Sequence, residues 1–145
     1  MRATFVLIAV CALAAVLPAT ASAATWKGKT RQGREVVVRT GDDGTVNRIR
    51  IGWKAHCAVG DWYKSRTQFL PPLDSATSTT FADAGSYRGH PTGYRARIWV
   101  RIAGNLDAGA QTWSGTFRVK VRVSKGGEHV DTCRLRRLRW SAAPA

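Results

Sequence analysis

Acidic residues are scarce in this chain. Nine Asp and Glu stand against 23 Lys and Arg, a formal net charge of +14. Only Glu35 and Glu128 are Glu, and both fall at or near expected hairpin turns. Glycoside hydrolysis needs two carboxyl groups held close together, and no spacing here supplies them. Histidine is rarer still. His56, His90 and His129 show neither H-x-H nor HExxH spacing, which excludes a recognisable metal motif. Asp42-Asp43 is flanked by glycines, where Asp serves its own backbone in a turn more readily than it serves calcium. No G-x-S-x-G occurs, since Gly85-Ser86-Tyr87 lacks the second glycine of a nucleophile elbow. The expectation is a protein without catalysis, metal or cofactor. A hydrolase whose acids converge only in space is the remotest alternative.

Long apolar runs are also missing, except at the start. Arg2 precedes an apolar stretch over 5–17, Pro18 breaks it, and Ala21-Ser22-Ala23 fits the small-x-small rule of signal peptidase. Residues 1–23 therefore read as a secretory signal peptide, and 24–145 as a single secreted domain. The run is too short for a membrane anchor, so no transmembrane segment is expected. Cys11 lies inside it, but Val10 stands where a lipoprotein signal wants a small residue, so Cys11 is expected to leave with the leader. Cys57 and Cys133 remain. In an exported, monomeric domain they are expected to pair as a disulfide.

Helical periodicity is absent as well. Most readable segments alternate with period two, as half-buried strands do. Strands are expected over 24–30 and 34–40, joined by a turn at Gln32-Gly33, with a second turn at 41–44. The clearest strand sets Ile49, Ile51, Trp53, Ala55 and Cys57 against Arg48, Arg50, Gly52, Lys54 and His56. Residues 58–93 are less regular, with short strands at 65–70 and 79–82, a break at Pro71-Pro72 and loops at 74–80 and 84–93. Beyond Tyr94, Ala96, Ile98, Val100 and Ile102 alternate with Arg95, Arg97, Trp99 and Arg101. A loop is expected over 104–111. Phe117, Val119, Val121 and Val123 then alternate with Arg118, Lys120, Arg122 and Ser124, and Gly126-Gly127 marks a tight hairpin. The last strand turns Cys133 and Leu135 inward, then Leu138 and Trp140. That change of phase requires an extra residue, and a β-bulge is expected at Arg136-Arg137. The fold class is all-β, an antiparallel β-sandwich or closed barrel of about seven to eight strands. Thr25-Trp26-Lys27-Gly28 faintly repeats as Thr112-Trp113-Ser114-Gly115.

Several short motifs carry a resemblance. They are 28–33 (GKTRQG), the strand reaching Cys57, Gly115-Thr116-Phe117, Asp131-Thr132-Cys133 and 138–142 (LRWSA). With these the chain resembles a group of uncharacterised secreted β-proteins of high-GC Gram-positive bacteria. The resemblance implies a secreted, disulfide-bridged β-domain and no catalytic residue.

The chemistry that is present is cationic. Arg2 accounts for one positive charge, which leaves +13 on residues 24–145. The outward residues of the last three long strands are Arg95, Arg97, Trp99, Arg101, Arg118, Lys120, Arg122, Arg134 and Arg136, with no acid among them. One register that keeps the inward faces together sets Arg97 beside Arg118 and Arg136, and Arg95 beside Lys120 and Arg134. Facing like charges are unfavourable, and a bound polyanion would relieve them. Trp99 offers a surface on which a sugar or base stacks. Trp62-Tyr63 and Tyr87 are placed in loops, where they form a sugar-binding ledge or, as the preferred reading, cover the open end of the fold. The expected function is adhesion to an anionic polysaccharide, a teichoic-type polymer or nucleic acid through this face. The alternative is a structural or protein-interaction domain with generic surface charge.

Overall fold

The computed structural model describes residues 22–145, so 1–21 of the expected leader, with Cys11, lie outside the described residues. The described chain is all-β, as expected. Nine strands follow one another: β1 (Thr25–Thr30), β2 (Glu35–Thr40), β3 (Val46–Cys57), β4 (Trp62–Phe69), β5 (Ser75–Ala76), β6 (Thr80–Gly89), β7 (Arg95–Asp107), β8 (Thr112–Lys125) and β9 (Glu128–Pro144). They form one antiparallel sheet in the order β4-β3-β2-β1-β9-β8-β7-β6-β5. The outermost strands, β4 and β5, do not pair, so the sheet curls over its own inner face without closing as a barrel.

The alternation that marked the strands also decides what is buried. Ile49, Ile51, Trp53 and Ala55 of β3 are fully buried, as are Ile102 of β7 and Phe117 and Val121 of β8. Phe117 meets Trp53 and Phe69 from the opposite half of the sheet, with ring centroids 6.3 Å away in both cases. Within one half, Phe81 of β6 reaches across β7 to Trp113 and Trp140, at 5.5 and 5.9 Å. Each such ring contributes roughly 1.5–3 kcal/mol on burial. A polar link also spans the halves. The Trp53 indole N–H donates to Thr67 Oγ1 at 2.8 Å, and that hydroxyl pairs with the Tyr87 hydroxyl at 2.7 Å.

The curl has a local cause. The short β1–β2 hairpin is wedged between β3 and β9: β2 pairs with β3, and β1 with the last residues of β9. Beyond its tip the two long strands meet directly, with His56 opposite Arg134 and Cys57 opposite Cys133. Gln32, at the tip, closes the gap. Its side-chain amide donates to Lys54 O and its oxygen accepts from Lys54 N, both at 2.9 Å. One side chain thus does for β3 what a strand does elsewhere. The disulfide joins Cys57 to Cys133, as expected.

Turn chemistry matches the sequence at two places. Gly126 and Gly127 take φ of 58° and 91°, the positive values that a two-residue type I′ hairpin requires. At the second turn, Asp43 Oδ1 accepts from Thr45 N at 3.0 Å and Thr45 Oγ1 at 2.7 Å. Hydrogen bonds from Thr45, its hydroxyl first, lower the Asp43 pKa. The faint repeat acquires a meaning too. Its two segments flank β9, with Gly28 and Trp113 both opposite Ala142, and Trp26 meets Trp113 edge to face at 6.5 Å.

Three expectations change. The stretch 104–111 is not all loop, because β7 runs to Asp107 and pairs it with Thr112. Gly104 and Gly115 face each other there because aromatic rings cross them. A Cβ on Gly104 would stand 2.6 Å from Phe81 and 2.8 Å from Trp140. Residues 84–89 are strand, paired with β7 throughout, and Trp62 and Tyr63 open β4. Tyr63 points inward and stacks on Trp53 at 5.9 Å, so Trp62, Tyr63 and Tyr87 form no common ledge.

Candidate functional site

Strands β7, β8 and β9 present the expected cations on one outer face. All nine candidates, Arg95, Arg97, Trp99, Arg101, Arg118, Lys120, Arg122, Arg134 and Arg136, are exposed there. Which of them are neighbours differs from the expected register. Arg97 lies opposite Arg122, Trp99 opposite Lys120 and Arg101 opposite Arg118. The β7–β8 pairing is shifted by four residues because β7 continues past Gly104. The β8–β9 pairing is as expected: Lys120 lies opposite Arg134. Phe117 pairs with Leu138 and Val119 with Leu135, so Arg118 alone faces Arg136 and Arg137. This is the expected bulge, and it pushes two guanidinium groups to the same side of the sheet.

A shallow groove of about 850 Å³ runs over this face. Arg101, Arg118, Lys120, Arg134 and Arg136 line it together with Trp99. Ala84, Gly85 and Ser86 of β6 form one wall, and their small side chains keep it low. Trp99 is 39% exposed, with the Arg97 guanidinium 5.8 Å and the Lys120 ammonium 5.6 Å from its ring centroid. Arg97 also donates to Ser86 Oγ at 3.1 Å. A second hollow beside the groove gathers Arg95, Arg97 and Arg122 with Arg88 and His90. With Arg88 opposite Arg97, four like-charged register pairs therefore sit on one face, each unfavourable by up to about 1 kcal/mol. Among the described residues, the salt bridges are Arg50–Glu35 at 3.2 Å and Arg66–Glu35 at 3.9 Å, both away from the groove.

Cations are not confined to this face. Arg39 lies opposite Arg48 on β2–β3, and Arg31 and Arg139 share another hollow. The Trp99 groove is distinguished by its exposed ring and by the five cations, Arg101, Arg118, Lys120, Arg134 and Arg136, that line it.

The carboxylates that do converge are Asp74 and Asp83. Both accept from Ala84 N, at 3.0 and 2.9 Å. Burial, and then the Asp74 charge, raise the Asp83 pKa, while the Ala84 bond opposes them. Neither side chain lines the groove. Metal-type ligands gather at Cys57, Asp131 and Cys133, but both sulfurs are spent in the bridge. Asp131 serves the backbone instead. It accepts from Ala58, Val59 and Gly60 N at 3.0, 3.1 and 2.8 Å, and from Thr132 N at 2.7 Å. Desolvation alone would raise its pKa, but these four N–H groups outweigh it and lower the value.

No family model, curated protein or solved structure matches this chain. No helix among the described residues is long and apolar enough to cross a membrane.

Proposed function

We propose that this is a secreted, non-catalytic β-domain that binds an anionic polymer of the cell envelope or its surroundings through the outer face of β7–β9. One observation carries the reading. Five cations surround an exposed tryptophan in one groove, and no acid lines it. Opposed like charges are a standing cost in the unbound domain, and a polyanion turns each into an attraction. Arginine suits the role, because its planar fork pairs two-pronged with phosphate, sulfate or carboxylate oxygens. The disulfide fits an oxidising compartment, and the leader-like sequence over 1–23 supports export. Anionic polysaccharide, teichoic-type polymer and nucleic acid all satisfy this chemistry.

The test is a salt series. Binding to heparin, measured by calorimetry at several NaCl concentrations, falls linearly in log salt if counterions are released. Changing Arg118, Lys120 and Arg134 together to Gln flattens that slope by about one unit per lost contact. Changing Arg31, Arg39 and Arg48 to Gln removes the same charge from elsewhere and leaves most of the slope. Equal losses from both sets would reduce the attraction to net charge and favour the structural or protein-interaction reading. So would a wild-type domain that ignores polyanions at low salt.

A further inference from the structure

The ladder registers join into a row that runs further than the groove. Across the outer face, Ser86 lies opposite Trp99, Trp99 opposite Lys120, and Lys120 opposite Arg134. Arg134 then lies opposite His56 on β3, and His56 opposite Trp62 on β4. The row crosses from β9 to β3 at the single place where those strands pair, one register position from the disulfide. Its two ends are built alike. Trp62 is 47% exposed, with the Lys54 ammonium 4.8 Å from its ring centroid and the His56 ring edge-on at 5.0 Å. Trp99, at the other end, carries Lys120 and Arg97 in the same manner. Lys64 lies opposite Lys54 and extends the positive charge along β4.

We infer that the binding track crosses the bridged β9–β3 junction and ends at Trp62, and that its occupant is a linear acidic polysaccharide lying across the strands. This rests on the polyanion-binding reading above. Four inter-strand steps of about 4.8 Å separate the two tryptophans, a span of roughly 19 Å along the row. Sugar rings stack on the two indoles. Carboxylate or sulfate groups between them meet Lys120, Arg134 and the cations around Trp62. Two features favour a polysaccharide over single-stranded nucleic acid. Nucleic-acid tracks stack successive bases on successive aromatic side chains, whereas here cationic positions separate one platform at each end. The disulfide also fits the oxidising surroundings in which acidic polysaccharides are met. The bridge thereby has a second role: it holds the two halves of the track in one register.

The experiment uses heparin oligosaccharides of increasing length, with an oligo-dT series for comparison, and reads dissociation constants by calorimetry. Wild type gains affinity with heparin length until the chain spans both tryptophans. Trp62→Ala lowers affinity for the long fragments by about tenfold and leaves the shortest, held at Trp99, unchanged. Lys54→Gln weakens long fragments in the same selective way and disturbs no buried group. Trp99→Ala weakens fragments of every length. If Trp62→Ala and Lys54→Gln bind long fragments as wild type does while Trp99→Ala is weakened, the extended track is wrong and the groove stands. If oligo-dT binds as tightly as heparin of matched charge, the polysaccharide assignment is wrong. If wild type binds neither series at low salt, the functional reading falls with it.

Discussion

Opening the Cys57–Cys133 bridge tests how the fold is held. The cysteines lie 76 residues apart, so the covalent loop spans most of the domain. In the chain-entropy view, closing a loop of that length costs the unfolded ensemble about 4.5 kcal/mol of entropy. The native junction keeps other ties. Ala58 N donates to Thr132 O at 3.1 Å, and Asp131 gathers three N–H groups of the β3–β4 turn. These exist only in the folded state and do not restrain the unfolded chain. Changing both cysteines to Ala therefore destabilises the domain by about 2–5 kcal/mol, a large part of a stability of 5–15 kcal/mol usual for a native domain. With urea m-values near 1–3 kcal/mol per molar, the midpoint falls by roughly 1–3 M. The m-value itself rises, because the released chain expands on unfolding. Urea titrations of the oxidised protein, the reduced protein and the double variant give the comparison. Coincident midpoints would refute the reasoning, since they would mean that the loop is unbridged in solution or already closed in the unfolded ensemble.

Two further outcomes follow from single side chains. Gln32→Ala strips Lys54 N–H and C=O of their partners, which destabilises the fold by about 1–3 kcal/mol; hydrogen exchange at the Lys54 amide accelerates in the variant, and an unchanged rate would mean that the Gln32 brace is not formed in solution. Asp131 has a lowered pKa in the folded state, so its contribution is present above its unfolded pKa of about 3.9 and is lost as pH falls through the folded value. Thermal midpoints of wild type and Asp131→Asn should therefore differ at neutral pH and converge in acid, whereas a constant gap would locate the effect in packing.

What was legible in the sequence was whatever alternates. The inward rows of β3, β7 and β8 could be written from side chains alone. The bulge at Arg136-Arg137 followed because Leu135 and Leu138 cannot share a face without it. Register was legible only where a turn located the hairpin closely enough for the inward faces to select one pairing. Gly126-Gly127 located the hairpin, but a bulge at Val130 shifts the register by one residue beyond it, and Lys120 opposite Arg134 followed from keeping the inward faces together. The β7–β8 hairpin could not be located, because Gly104 looks like a loop residue. Its real reason is the passage of Phe81 and Trp140 across Gly104 and Gly115, a tertiary contact invisible to local reasoning. Strand β6 was hidden by its Ala, Gly and Ser content. Pairing to β7 overrides that weak propensity. The row through His56 was within reach: an opposed Cys57–Cys133 pair places His56 beside Arg134, given antiparallel strands.

The same geometry accounts for the core and for the candidate site. A two-stranded wedge spreads β3 and β9 at one end, while the bridge draws them together at the other. Strands so constrained must bend toward each other, and the bend brings Trp53 and Phe69 over Phe117. On the convex side it sets the outer residues of β9 and β3 edge to edge, where two separate sheets would have left a gap. The glutamine brace and the disulfide therefore act on one variable, the angle between β3 and β9. Loosening either should loosen the core and the continuity of the cationic row together. Lys120→Gln, by contrast, alters the row and leaves that angle untouched.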